Sequence, residues 1–162
     1  MRPKRLMLLF AAGALLITGV ALATPVIGVV PAPFTEVKAR GTLAEELNIH
    51  SESGIKLKTK APLDVVTQSI SLSTGGTTGW HGHPGPVLVT IKSGELTIYY
   101  AGEGCQGITY GPGDTFVDRG DRIHTARNEG AVQVDFWATY LVPGERNAAF
   151  RIDAPAQDDC GF

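Results

Sequence analysis

Apolar and polar residues alternate in short runs along most of the chain. The clearest run is Val65 to Leu72, where Val66, Gln68, Ile70 and Leu72 share one face at a period of two. Val87 to Ile91 is β-prone throughout and stops at Ser93-Gly94. Glu95 to Tyr100 follows and is expected to fold back on it as a hairpin partner. Leu43 to His50 and Ile55 to Lys58 flank the turn Ser53-Gly54. Ile108 to Tyr110, Thr115 to Val117, Arg122 to Arg127 and Val132 to Leu141 continue the series. No segment sustains helical periodicity, so many short strands at regular spacing predict an all-β sandwich or barrel of the jelly-roll kind. The barrel is expected over residues 41–142. Residues 24–40, with prolines at 25, 31 and 33, read as an extended lead-in, and residues 143–162 as an irregular tail.

The first 23 residues follow a different pattern. Arg2, Lys4 and Arg5 form a basic start, Leu6 to Ala23 carries no charge, and Ala21-Leu22-Ala23 supplies small residues at the cleavage positions. This is the three-part pattern of a secretory signal peptide, cut after Ala23. The alternative is an uncleaved anchor, because the run is just long enough for a hydrocarbon core of roughly 30 Å. No Arg-Arg pair precedes it, which points to general secretion rather than twin-arginine export. The expected location is therefore secreted or periplasmic.

Without the leader's three basic residues the formal net charge of −2 becomes −5. A mildly acidic domain has no electrostatic footprint for nucleic acid. No basic amphipathic helix is visible, so no membrane contact is expected beyond the leader. The 20 Gly and 10 Pro fit a strand-and-turn fold, and 43% hydrophobic residues suffice for a core.

Two cysteines in an exported chain invite pairing. Cys105 lies in the Gly-rich turn Gly102 to Gly107, and Cys160 is third from the end. A Cys105–Cys160 disulfide would pin the tail onto the domain and stabilise it by about 4 kcal/mol on the chain-entropy argument. Two free or intermolecular thiols are the alternative.

Three of the four histidines carry the candidate chemistry. His81 and His83 form a His-x-His pair, and on a strand residues two apart face the same way. His124 follows two turns further down the chain, where a neighbouring strand could bring it beside the pair. Three neutral imidazoles suit Zn, Cu, Ni or Fe and leave coordination positions open. Satisfied polar core residues are the plain alternative. His50 reads as a surface residue. Gln68 and Tyr140 are candidate pocket groups, Phe136 and Trp137 read as core, and Asn128 as a turn-fixing residue. No Ser-His-Asp arrangement, phosphate loop or CxxC is present, and no catalytic residue can be assigned.

Around these histidines the sequence resembles the cupin superfamily. Gly79-Trp80-His81-Gly82-His83-Pro84-Gly85-Pro86-Val87, followed by Ser93-Gly94-Glu95, is similar to that family's first motif. Gly113-Asp114 through Gly120, then His124 and Asn128, is similar to its second. The resemblance covers roughly Val65 to Leu141 and implies a jelly-roll barrel binding a divalent metal through His81, His83 and His124. Two departures stand out. Val87 occupies the position of the family's usual Glu ligand, leaving a three-His set like that of some thiol and diketone dioxygenases in the family. Arg119-Gly120-Asp121 replaces the usual Pro-containing turn before the third His.

An exported protein fills its site outside the cytoplasm, where affinity order favours Zn or Cu, with Mn, Ni or Fe as alternatives. Metal loss is expected as pH falls below the unperturbed His value of about 6.5. The resemblance supports an oxygenase-type enzyme acting on a small organic molecule, or a non-catalytic module binding a metal or small ligand. A homodimer through an exposed strand edge is a further expectation.

Overall fold

The computed structural model describes residues 35–144, 147–157 and 160–161. The signal peptide read at 1–23, and the lead-in up to residue 34, lie outside the described residues. Twelve strands follow one another, with no helix among the described residues. The first six are β1 (Thr35–Leu43), β2 (Leu47–His50), β3 (Lys56–Thr59), β4 (Leu63–Leu72), β5 (His81–Gly82) and β6 (Val87–Ser93). The remainder are β7 (Leu96–Tyr100), β8 (Ile108–Tyr110), β9 (Thr115–Asp118), β10 (His124–Arg127), β11 (Val134–Pro143) and β12 (Ile152–Asp153).

Two five-stranded antiparallel sheets, ordered β1-β4-β11-β6-β9 and β12-β5-β10-β7-β8, face each other as an all-β jelly roll, with β2 and β3 as a separate hairpin. Alternation explains which side chains enter the core. In β6, Val87, Val89 and Ile91 are buried while Leu88, Thr90 and Lys92 are exposed. In β11, Val134, Phe136, Ala138, Tyr140 and Val142 are buried on one face. Val66, Ile70 and Leu72 of β4 complete that wall, and Leu96, Ile98 and Tyr100 of β7 face it from the other sheet. Non-directional burial of these side chains holds the sheets together.

Four expectations differ from this structure. First, β6 and β7 are not hairpin partners: β6 pairs with β9 and β11, β7 with β8 and β10. The chain crosses between sheets at Gly94, whose φ of +72° suits glycine and whose close approach leaves no room for a Cβ, which would sit 2.5 Å from the Gln133 carbonyl oxygen. Both faces of β7 are buried, so its apolar run satisfied hairpin and crossing equally. Second, strand structure starts at Thr35, inside the stretch read as lead-in, because Thr35 to Leu43 pairs along β4 from Ile70 to Leu63. Third, the tail contributes β12, whose Ile152 and Asp153 pair with Gly82 and His81. Fourth, Trp137 points outward and is 41% exposed, because alternation along β11 assigns the inward face to Phe136 and Ala138.

Candidate metal centre

The His-x-His pair straddles β5, a strand of only two residues, and His124 opens β10 directly opposite His81. All three imidazoles are buried, and their ligand atoms lie within 4.8 Å of one another. Ring centroids are 4.4 Å apart for His81–His124, 4.8 Å for His81–His83 and 5.1 Å for His83–His124.

Each ring is oriented by a group that can only accept a hydrogen bond. His81 Nδ1–H donates to the Gly79 carbonyl at 2.7 Å, and His83 Nδ1–H to the Phe150 carbonyl at 2.7 Å. His124 Nδ1 stands 3.3 Å from the Arg122 carbonyl and 3.1 Å from Asp118 Oδ2. That carboxylate oxygen is buried with no hydrogen bond of its own, while Asp118 Oδ1 accepts from the Gly120 amide at 2.6 Å. With the proton on Nδ1, every ring leaves its Nε2 lone pair for a shared ligand, the arrangement metal-binding histidines use.

The donor set fits a divalent ion of the Zn, Cu, Ni or Fe group. Two nitrogens bound to one ion at about 2.1 Å each can stand at most about 4.2 Å apart, so ligand atoms within 4.8 Å of one another would need only a small shift to hold one. Among the described residues lining the cavity, Asp118 is the only carboxylate, and it lies against His124 as that ring's outer partner. Val87, at the position of the usual Glu ligand, is buried and presents only methyl groups there.

Burial shifts the imidazoles strongly. Desolvation, with the neighbouring His124 and Arg151 adding to it, pushes His81 down to about 2. Desolvation also lowers His83, against the Phe150 carbonyl, and lowers His124 despite Asp118. These lowered values place the expected metal loss below the pH of about 6.5 that an exposed ring would give. A folded-state value below the unfolded one means that, as pH falls below about 6.5, the unfolded chain takes up protons first. The barrel then loses up to about 1.4 kcal/mol per pH unit for each such ring, while the folded site keeps its ligands neutral. Bound metal should therefore persist at pH 5.5 and leave together with near-ultraviolet circular dichroism as the barrel unfolds. Metal release at pH 6.5 from a still-folded barrel would contradict this.

The centre opens into a cavity of about 600 Å³ between the two sheets. Gln68, Val87 and Tyr140 all line it. Tyr140 donates its hydroxyl proton to Gln68 Oε1 at 2.9 Å, and its ring lies 5.2 Å from that of His83. Burial raises the Tyr140 hydroxyl to about 12, so it stays a phenol. Most of the remaining wall is apolar, including Ile70, Leu72, Phe116 and Phe136. His50 is exposed on β2, away from the cavity. Asn128 is fully buried: its amide donates to the Leu72 and Val132 carbonyls and its oxygen accepts from Gly130, closing the turn before β11.

Sequence reasoning missed Asp118 and the contribution of Ala148, Phe150 and Arg151, which line the same cavity from the tail. The alternation Phe150-Arg151-Ile152-Asp153 was the available strand signal. A carbonyl that orients a ligand leaves no mark on residue identity.

A family model described as a cupin domain matches residues 69–140, a span that contains all three histidines. Several solved structures are similar. A double-stranded β-helix protein from Klebsiella pneumoniae is 22% identical, with 68% of this chain and 86% of that one covered at a TM-score of 0.44. A cupin-domain protein from Bordetella pertussis is 22% identical over 48% of this chain and 80% of its own, at 0.43. A cupin superfamily protein from Desulfitobacterium hafniense is 17% identical over 66% and 81%, at 0.41. No curated protein matches the sequence. Residues 69–140 of this jelly roll, which hold the His-x-His pair at β5 and the third His directly across the ladder from His81, are thus similar to a cupin domain.

Proposed function

We propose that this is an exported cupin that holds one divalent cation on His81, His83 and His124 and acts as an oxygenase-type enzyme on a small organic molecule bound beside it. The observation that carries the reading is the convergence of three buried imidazoles, each with Nδ1 engaged, on a largely apolar cavity. Zn or Cu is favoured by affinity order, with Mn, Ni or Fe as alternatives. The bound ion would supply Lewis acidity or a redox centre.

The chain's own residues do the rest. With Val87 in place of a carboxylate ligand, the ion's charge is not offset by its ligands, so the site favours a molecule bearing an anionic oxygen. Ile70, Leu72, Phe116 and Phe136 would pack against its apolar body. Tyr140 keeps its proton and serves as a hydrogen-bond donor rather than a base. Export is supported by the leader pattern and by a cysteine pair suited to an oxidising compartment.

A non-catalytic binding module is the second reading. It is favoured by the lack of a free acid or base among the described lining residues: Tyr140 stays protonated and Asp118 faces His124 and the Gly120 amide. Elemental analysis of protein purified from the exported fraction, combined with oxygen uptake, separates the two. Stoichiometric Cu, Fe or Mn with oxygen consumption that depends on an added small organic acid supports the enzyme. Stoichiometric Zn without oxygen consumption supports the binding module. Protein that neither carries metal nor takes it up on reconstitution overturns the enzyme and leaves the module only as a binder of small organic ligands.

A further inference from the structure

Residues 147–154, read from sequence as part of an irregular tail, are fastened at several points along their length. The Asn147 amide donates to Asp64 Oδ2 at 3.1 Å, and Arg40 Nη2 donates to the Ala148 carbonyl at 2.8 Å. The Phe150 ring packs on Tyr140 with centroids 4.7 Å apart. Arg151 Nη2 donates to the Thr78 carbonyl at 2.8 Å, and the Ala154 amide to the Trp80 carbonyl at 2.9 Å. Further on, Cys160 meets Cys105 of the β7–β8 loop with a Cα separation of 5.2 Å.

This segment touches the centre at two points. The Phe150 carbonyl is the acceptor that orients His83. Ile152 and Asp153 pair with Gly82 and His81, giving β5 its second neighbour. On its other side β5 has only the His124–His81 pair to β10. So short a strand has little stability of its own, and its position depends on both neighbours.

We propose that residues 147–154 form a strap, tethered through Cys105–Cys160, that sets the positions of His81 and His83, with Phe150 as a positioning residue acting through its main-chain carbonyl. The inference rests on the metal-binding reading. Detaching the strap leaves all three imidazoles in the chain but frees the His83 ring to rotate. Loss of such an outer partner costs about 10–100-fold in metal affinity.

The test uses the full chain and Zn²⁺ alone, with affinity read by competition against a chromogenic chelator. Two variants loosen the strap differently: Cys105→Ser with Cys160→Ser removes the tether, and Ala154→Pro removes the amide that bonds Trp80. Both should bind Zn²⁺ about 10–100-fold more weakly. Ile91→Ala, a core truncation on β6 at a residue that does not line the cavity, controls for lost stability and should stay within about twofold of the parent. A second readout needs no metal: ¹⁵N shifts of the His83 ring should report one fixed Nδ1–H tautomer in the parent and a mixture in both strap variants. Unchanged affinity and unchanged tautomer in both variants would overturn the strap, as would an equal affinity loss in Ile91→Ala. A parent that binds no Zn²⁺ but shows the tautomer change would retain the strap and end the metal reading.

Discussion

His81→Ala is expected to abolish stoichiometric divalent-metal binding while leaving a folded barrel. His81 is one corner of a nearly equilateral triangle of rings, 4.8 Å from His83 and 4.4 Å from His124 by centroid, and its loss leaves two imidazoles, with the cavity's one described carboxylate, Asp118, already engaged as the outer partner of His124. The affinity loss should exceed the roughly 100-fold upper range for removing an outer hydrogen-bond partner of a ligand. A ligand present at 100 times its dissociation constant stabilises a protein by about 2.7 kcal/mol, so added metal should raise the parent's melting temperature and leave the variant's unchanged. Trp137→Ala, on the outer face, should keep the full metal-induced rise. The metal-free variant carries a second signature. It lacks one imidazole that folding holds neutral, so its acid sensitivity below about pH 6.5 should fall by up to about 1.4 kcal/mol per pH unit. Metal content and metal-induced stabilisation equal to the parent's would remove His81 from the centre.

Cys105→Ser with Cys160→Ser should lower the unfolding free energy by about 4 kcal/mol. The two positions are separated by 55 residues, so the link closes a long loop, which in the chain-entropy argument restricts the unfolded chain strongly. The melting temperature should drop by on the order of 10 °C. Urea unfolding of the parent with and without reductant, beside the double variant, measures this directly. Reduced parent and variant should coincide, both below the oxidised parent. Coincidence of all three midpoints would mean that the link adds no stability.

Much of the architecture was legible before any coordinates. The period-two pattern in Val65 to Leu72 and in Val132 to Leu141 identifies β4 and β11, because a strand between core and solvent must alternate. The same rule assigns Gln68 and Tyr140 to one face of their neighbouring strands, where a hydrogen bond joins them inside the cavity. Trp137 shows the limit of reading by residue type: its size suggested core, yet its place beside the inward Phe136 turns it to solvent. The β6–β7 connection shows another limit. Two apolar runs joined by Ser93-Gly94 satisfy a hairpin and a sheet-to-sheet crossing alike, and long-range pairing with β9, β10 and β11 selects between them.

By itself the order of residues determined a β-rich fold, the inward and outward faces of its main strands, and three histidines spaced for a common ion. These follow from local physics: period-two alternation, turn-forming glycines, and the chemistry of imidazole. The tertiary structure alone decided how those histidines are held. Asp118 beside His124, the Phe150 carbonyl on His83 and β12 along β5 are contacts between distant parts of the chain. Two of them run through main-chain atoms that every residue possesses, so side-chain identity carries no trace of them until the backbone closes around the cavity.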